Sequence, residues 1–174
     1  ASGQPELPDT EVAGQLCGVD AAVALLGGGG GWFLIRLPEA RVPAYTRRRG
    51  PAGGIWALRG GRLDEGETLE SALAREMREE LSLDVITAGP CHAHLAEHKG
   101  ECLLAVTMAC RPAGGLPVTP VLDPEEAVAW RWVTTTEWLE MADQGLTPWR
   151  PRDIVICTAV AERLWRLVDE GGVP

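Results

Sequence analysis

Gly61-Arg62-Leu63-Asp64-Glu65-Gly66-Glu67, followed by Arg75-Glu76-Met77-Arg78-Glu79-Glu80-Leu81-Ser82-Leu83, carries more glutamate than an ordinary surface helix needs. Between and through these blocks, Thr68 to Leu81 contains no Pro or Gly and is rich in Ala, Leu, Glu and Arg. With Thr68 placed to cap it after a Gly-containing turn, the run predicts a helix. On a helical wheel Leu69, Ala72, Leu73, Met77 and Leu81 share one side, the face that a helix lays on a sheet. Glu76 and Glu80, at i and i+4, fall inside that apolar arc, whereas Glu70, Ser71 and Arg78 point away or to its edge. Burying an unpaired carboxylate costs several kcal/mol, so these two acids are expected to protonate, pair or coordinate a cation. Glu79 lies beside them with Arg75 as its i,i+4 partner, which leaves excess negative charge. A hard divalent cation with oxygen ligands, Mg2+ or Mn2+, suits such a cluster and also binds substrate phosphates. The competing reading is a solvated helix laced with salt bridges; the inward placement of Glu76 and Glu80 argues against it.

These residues resemble the Nudix box, G-x5-E-x7-R-E-U-x-E-E-x-G-U with U an aliphatic residue. Gly61, Glu67, Arg75, Glu76, Met77, Glu79, Glu80 and Leu83 match in register, and Ser82 replaces the usual Gly. Ahead of the box, Trp56-Ala57-Leu58-Arg59-Gly60-Gly61 resembles the lead-in W-x-L-P-G-G, with Arg59 in place of Pro. Behind it, Trp130-Arg131-Trp132-Val133 and Thr136-Glu137-Trp138-Leu139 look like the family's final strand and the short helix that follows. The resemblance runs from roughly Val19 to Leu167.

The resemblance implies an α/β fold, a Nudix-type α/β/α sandwich with a mixed β-sheet between helices. It implies water attack on phosphorus in a nucleoside diphosphate linked to another moiety. By the same carry-over, Glu76 and Glu80 are the main ligands of Mg2+ (or Mn2+), Glu79 is an additional or water-mediated ligand, and the Gly60 carbonyl completes the shell. Arg75 orients the carboxylates through Glu79 and Glu67. The general base in such enzymes comes from the box or from a later loop. In the second case Glu126, then Glu125, are the candidates here; a plain exposed acidic turn after Pro124 is the alternative. Ser82 is expected near the helix end, where Gly favours a left-handed cap, at a cost of about 1 kcal/mol. Arg59 is expected to alter the turn entering the metal site and is a candidate phosphate contact.

The remaining segments fit one domain over residues 1–174, with 1–15, polar and bearing two prolines, as a loose leader. Val19 to Leu26 and Trp32 to Leu37 predict two strands around the hairpin Gly27 to Gly31. That glycine run also invites a phosphate-loop reading, but no Gly-Lys-Ser/Thr follows it. Pro38 to Gly54 is a long loop containing Arg41, Arg47, Arg48 and Arg49. Two readings stand for it: a solvated loop, or a polyphosphate clamp in which Arg47 and Arg49 contact substrate. Asp84 to Ala88, Cys91 to Ala96 and Cys102 to Cys110 predict strands. His92 and His94 share a strand face near His98 and Cys91, a zinc-like grouping without a second ligand pair at matching spacing. Arg111 to Pro124 is a further loop, and a helix from about Asp153 to Val168 should dock through Ile154, Ala161, Leu164, Trp165 and Val168.

Composition is compatible with this. At 174 residues and 45% hydrophobic, a single core is expected. A net charge of −9 disfavours bulk binding to nucleic acid or anionic membrane, while metal ions supply local positive charge for phosphate. Without an apolar run of membrane-spanning length or a signal core, the expectation is a cytoplasmic protein. The five cysteines, odd in number and lacking C-x-x-C spacing, are expected as free thiols. A homodimer is plausible from the family alone.

Substrate signals are sparse. His98-Lys99-Gly100 stands where the ADP-ribose branch has Pro and the diadenosine polyphosphate branch has Tyr, and the NADH branch's SQPWPFPxS is missing. By elimination the expectation is a nucleoside triphosphate, cleaved to monophosphate and pyrophosphate. The alternatives are a nucleotide sugar or other activated diphosphate, and, more distantly, a non-catalytic nucleotide sensor, against which the intact Glu76, Glu79 and Glu80 argue. One of Trp32, Trp130, Trp132 or Trp149 is a candidate platform for a base; core packing is the commoner use of so large a side chain.

Overall fold

A computed structural model describes residues 19–42, 54–98 and 100–171. The described strands are β1 (Val19–Gly28), β2 (Gly31–Arg36), β3 (Trp56–Ala57), β4 (Arg59–Arg62), β5 (Val85–His98), β6 (Glu101–Pro112) and β7 (Ala129–Val133). They form one sheet in the order β3-β2-β1-β6-β5, with β4 also on β1 and β7 also on β2. β1 and β6 run parallel and their neighbours antiparallel, so the sheet is mixed.

Helices cover both faces. Ala24, Leu26, Phe33 and Ile35 pack with Ala72, Leu73, Met77 and Leu81 of α1 (Leu69–Leu81). The alternate residues Leu25 and Leu34 pack with Trp138 and Met141 of α2 (Thr135–Asp143) and with Ile154, Cys157, Ala161 and Trp165 of α3 (Pro151–Asp169). Strands buried on both faces read as unbroken apolar runs, which is why Ala24-Leu25-Leu26 and Phe33-Leu34-Ile35 show no polar alternation. The result is the expected α/β/α sandwich.

Gly29 and Gly30 both take left-handed φ, 57° and 77°, as a tight two-residue hairpin turn requires. The glycine run is therefore the β1–β2 turn and not a phosphate loop.

Several boundaries differ from expectation. The stretches predicted as Asp84 to Ala88 and Cys91 to Ala96 merge into one strand, β5, which begins at Val85 and whose ladder with β6 shifts at Thr87/Gly89 and Pro90/His92. Gly89, at φ 129°, absorbs the irregularity, and Pro90 is tolerated because β5 is an edge strand. The Arg59 segment is a strand on β1 and not a turn. Helix α3 starts at Pro151, whose missing N–H costs nothing in the first turn. Ile154, Ala161 and Trp165 dock it as expected, with Leu164 partly buried, but Val168 is exposed and Cys157 and Thr158 fill the face instead.

The leader 1–15, Cys17, and Arg47, Arg48 and Arg49 of the long loop lie outside the described residues. The described part of that loop holds a 3-10 turn, Glu39–Arg41. Cys91, Cys102, Cys110 and Cys157 are free thiols. Among the described residues, no helix is long and apolar enough to cross a membrane.

Candidate active site

Helix α1 sets the spacing of the carboxylates. Thr68 caps it: its side chain accepts from Ser71 N while the Ser71 hydroxyl accepts from Thr68 N, so two otherwise unpaired N–H groups are satisfied. At the other end Ser82 adopts the left-handed conformation (φ 53°, ψ 36°), with Ser82 N donating to Arg78 O and Leu83 N to Met77 O. Glycine is the usual occupant of such a cap. Between these ends Glu76 is buried and Glu80 has a side chain 15% exposed, whereas Glu79 is 61% exposed at the rim.

Strand β4 supplies the wall facing the helix. A Cβ at Gly61 would lie 2.3 Å from the carboxyl carbon of Glu76, so the missing side chain makes the cradle for that carboxylate. Gly60 is close-packed on β1; a Cβ there would lie 2.4 Å from Ala22 O.

Arg75 gathers the box acids. Its guanidinium donates to Glu67 at 2.8 Å, to Glu76 at 2.8 Å and, at the 3.5 Å limit, to Glu79, and it also holds the Arg62 carbonyl at 3.2 Å. The hydrogen bonds Arg75 donates to Glu67, with that to Glu76 adding to them, hold it above the ordinary arginine range. Reciprocally, Arg75 and the Asp64 backbone N–H hold the Glu67 carboxyl below the usual carboxylate range. The contacts of Arg75 thus run mainly to Glu67 and Glu76, with Glu79 the most distant of the three.

Glu126 arrives from a loop sewn to the end of α1. Val121 N donates to Leu81 O and Asp123 N to Glu80 O, satisfying two carbonyls that the helix end leaves open. The following turn closes with Glu126 N and Ala127 N donating to Asp123 O. Glu126 then faces β4, where its carboxylate is 3.1 Å from Arg59 and 2.6 Å from Arg41. Glu125 is exposed, and its N–H donates to Asp123 Oδ1. Of the two acids proposed from sequence, Glu126 is the one brought to the box.

Arg59 was expected as a phosphate contact. In the arrangement seen, its guanidinium pairs with both Glu80 and Glu126. Burial draws Arg59 below the ordinary arginine value, and the charges of Glu126 and Glu76 oppose that shift. Sequence reasoning did not find Arg41 as a neighbour of Glu126, because the two are 85 positions apart.

The acids gathered here offer carboxylate oxygens, the chemistry a hard divalent cation prefers. In the arrangement seen, arginines hold them: among the described residues no three acid, His or Cys side chains already form a metal cradle. His92 and His94 of the zinc-like grouping lie beside Trp149 and α3. Those rings pack edge-on against Trp149, and His92 lies 3.2 Å from Asp153 of α3. Burial, then His92, pulls His94 below its ordinary value.

Of the four candidate tryptophans, Trp32 is buried and donates to Thr135 Oγ1, while Trp132 packs edge-on to Phe33. Trp130 is 38% exposed and stacks on Phe33, on the α1 side of the sheet. A groove of about 580 Å³ lies elsewhere, between the glycine turn and α3, and none of the box acids lines it. Its Arg111 is already paired with Asp169 and stacked on Trp165.

A family model described as NUDIX domain matches residues 19–152. Among curated proteins, 33 residues are 52% identical to an 8-oxo-dGTP diphosphatase of Proteus vulgaris, covering 19% of this chain and 30% of that protein. A further match of 33 residues is 61% identical to the nucleoside triphosphatase NudI of Enterobacter sp. (strain 638), covering 19% of this chain and 23% of the other. A 50-residue stretch is 50% identical to part of an octanoyltransferase of Myxococcus xanthus, covering 29% of this chain and 14% of that protein. The chain thus spans less than a third of the length of the curated relatives it matches. Among solved structures, the MutT protein from Methanosarcina mazei Go1 aligns with a TM-score of 0.57 at 21% identity, over 84% of this chain and 91% of that one. That likeness is one of fold.

Proposed function

Since the chain belongs to the NUDIX domain family, we propose that it hydrolyses a diphosphate bond in a nucleotide, with a nucleoside triphosphate cleaved to monophosphate and pyrophosphate as the favoured reaction. The observation that carries this reading is the meeting of Glu76 and Glu80, inward on α1, with Glu126 and Arg59 at the edge of β4. The names of the two short nucleotide-hydrolase matches support the triphosphate.

Glu76 and Glu80 would hold Mg2+ or Mn2+, with Glu79 and the Gly60 carbonyl as further donors. When bound, such an ion lowers the pKa of a coordinated water and neutralises phosphate oxygens. The protein's own groups do the rest. Arg75 keeps Glu67 and Glu76 in place, so the carboxylates are not reorganised during reaction. Glu126 takes the proton from the attacking water, with Glu125 as the second candidate. Water adds at phosphorus while the α–β anhydride oxygen leaves with pyrophosphate; one water is consumed per bond broken. Arg59 and Arg41, and Arg47 and Arg49 of the loop outside the described residues, contact the phosphates, where a planar guanidinium can bind two oxygens at once. Trp130, as the exposed aromatic on this face, is the platform for the base.

The test is Mg2+-dependent product release from a panel of nucleoside triphosphates, nucleotide sugars and dinucleotides. Selective cleavage of triphosphates is the expected result. Preference for a nucleotide sugar would move the substrate to another activated diphosphate, and binding without turnover across the panel would overturn the hydrolase in favour of a nucleotide sensor.

A further inference from the structure

Arg59 occupies the place in the cluster where positive charge is most needed. Its side chain is 15% exposed, and it pairs with Glu80 and, at 3.1 Å, with Glu126 Oε2. Arg41 holds the other oxygen of Glu126 at 2.6 Å, and Arg75 holds Glu76 Oε1 at 2.8 Å. Glu80 sits in the last turn of α1, where the helix end adds negative potential and favours a nearby cation. The carboxylates of this site are therefore paired with arginines of the chain itself, three guanidinium groups shared among a larger number of acids.

A divalent ion arriving at Glu80 meets a guanidinium already bound there, and like charges a few ångströms apart in a partly buried site repel strongly. A diphosphate changes that balance. It offers Arg59 oxygens in the planar, two-pronged geometry that guanidinium prefers, so the side chain can leave Glu80 and Glu126 without losing a charged partner.

We propose that Arg59 is an exchangeable counter-cation that couples metal to substrate: it blocks the divalent ion from Glu80 until a diphosphate draws it away, so that the two ligands bind cooperatively. This rests on the assignment of Glu80 to the metal site made above. By linkage, whatever factor the diphosphate adds to metal affinity, the metal adds to diphosphate affinity.

Mn2+ binding followed by electron paramagnetic resonance tests this without any turnover. The titration uses wild type, Arg59→Gln and Glu80→Gln, each with and without methylenediphosphonate, and corrects for the Mn2+–diphosphonate complex in solution. Wild type should bind Mn2+ about tenfold more tightly when the diphosphonate is present, within the usual range of coupling between sites. Arg59→Gln should bind Mn2+ more tightly than wild type in the absence of diphosphonate and should lose most of the enhancement. Should Arg59→Gln fail to fold, Arg59→Lys serves in its place, keeping the charge but not the span across two carboxylates; the same ordering at smaller amplitude is then expected. Equal Mn2+ affinity in wild type and the Arg59 variant overturns the coupling while leaving the metal site intact. With methylenediphosphonate present, unchanged Mn2+ affinity in Glu80→Gln overturns the metal assignment itself.

Discussion

A Cβ at Gly61 would meet the end of the Glu76 side chain, whereas one at Gly60 would meet the backbone of β1. A flexible carboxylate can swing aside and a paired strand cannot. Gly61→Ala should therefore keep its fold but lose Mn2+ affinity and activity, by about 10- to 100-fold if Glu76 loses its support as a ligand. Gly60→Ala should instead lower stability, by about 1–3 kcal/mol as overpacking does. Denaturant midpoints and metal titrations on the two variants would show the effects dividing in this way; a common loss of stability would refute it. Ser82 carries a left-handed backbone at its own expense, so Ser82→Gly should raise stability by about 1 kcal/mol. At the other face, burial depresses His94 below its ordinary value of 6.5. Its contribution is full above that value, where folded and unfolded chains both hold it neutral. It is lost as pH falls below 6.5, because the unfolded chain then takes up a proton that the folded chain resists. His94→Phe should flatten the decline in denaturant midpoint between pH 7.5 and pH 5.5, and an unaltered slope would assign the decline to other groups.

At the scale of elements, α1 was legible because its local signals agree. Thr68 caps it, Ser82 ends it, and the apolar arc through Leu73 and Met77 faces the sheet. Replacing Thr68 by Ala removes one of the two reciprocal cap bonds and should cost about 1 kcal/mol, read as a shift in the denaturant midpoint. Strand β5 was read as two pieces because Gly89-Pro90 has the local chemistry of a break. Its long pairing with β6 overrides that signal and confines the disturbance to bulges. Strands β3 and β4 are too short to show a period, and their pairing with β2 and β1 comes only with the folded chain.

For the molecule as a whole, the sandwich follows from uninterrupted apolar strands between amphipathic helices, a pattern visible in the sequence. The order of strands and the face covered by each helix were not. The candidate site divides the same way. Its box acids lie within one helix at readable spacing, while Arg41, Arg59 and Glu126 come together from three separate segments. The partners of Arg59 could not be read from position 59 alone, and they change its meaning from a free phosphate contact to a cation already engaged with two acids. Burial also predicts a difference in thiol reactivity: Cys91 and Cys157 are pushed up to about 12 and Cys110 upward as well, while Cys102 is exposed. At neutral pH the three buried thiols should resist iodoacetamide until the fold is opened, and peptide mass spectrometry should find Cys102 labelled before them.

The central claim is hydrolysis at a site built on Glu80, and phosphorus NMR of a nucleoside triphosphate incubated with Mg2+ and either wild type or Glu80→Gln tests it most directly. The expected spectra show monophosphate and pyrophosphate growing in together for the wild type, with a rate at least about 100-fold lower for the folded variant, beyond the loss usual for a merely supporting residue. Wild-type turnover in Glu80→Gln would contradict the site, and absence of both products with the wild type would contradict the triphosphate reaction.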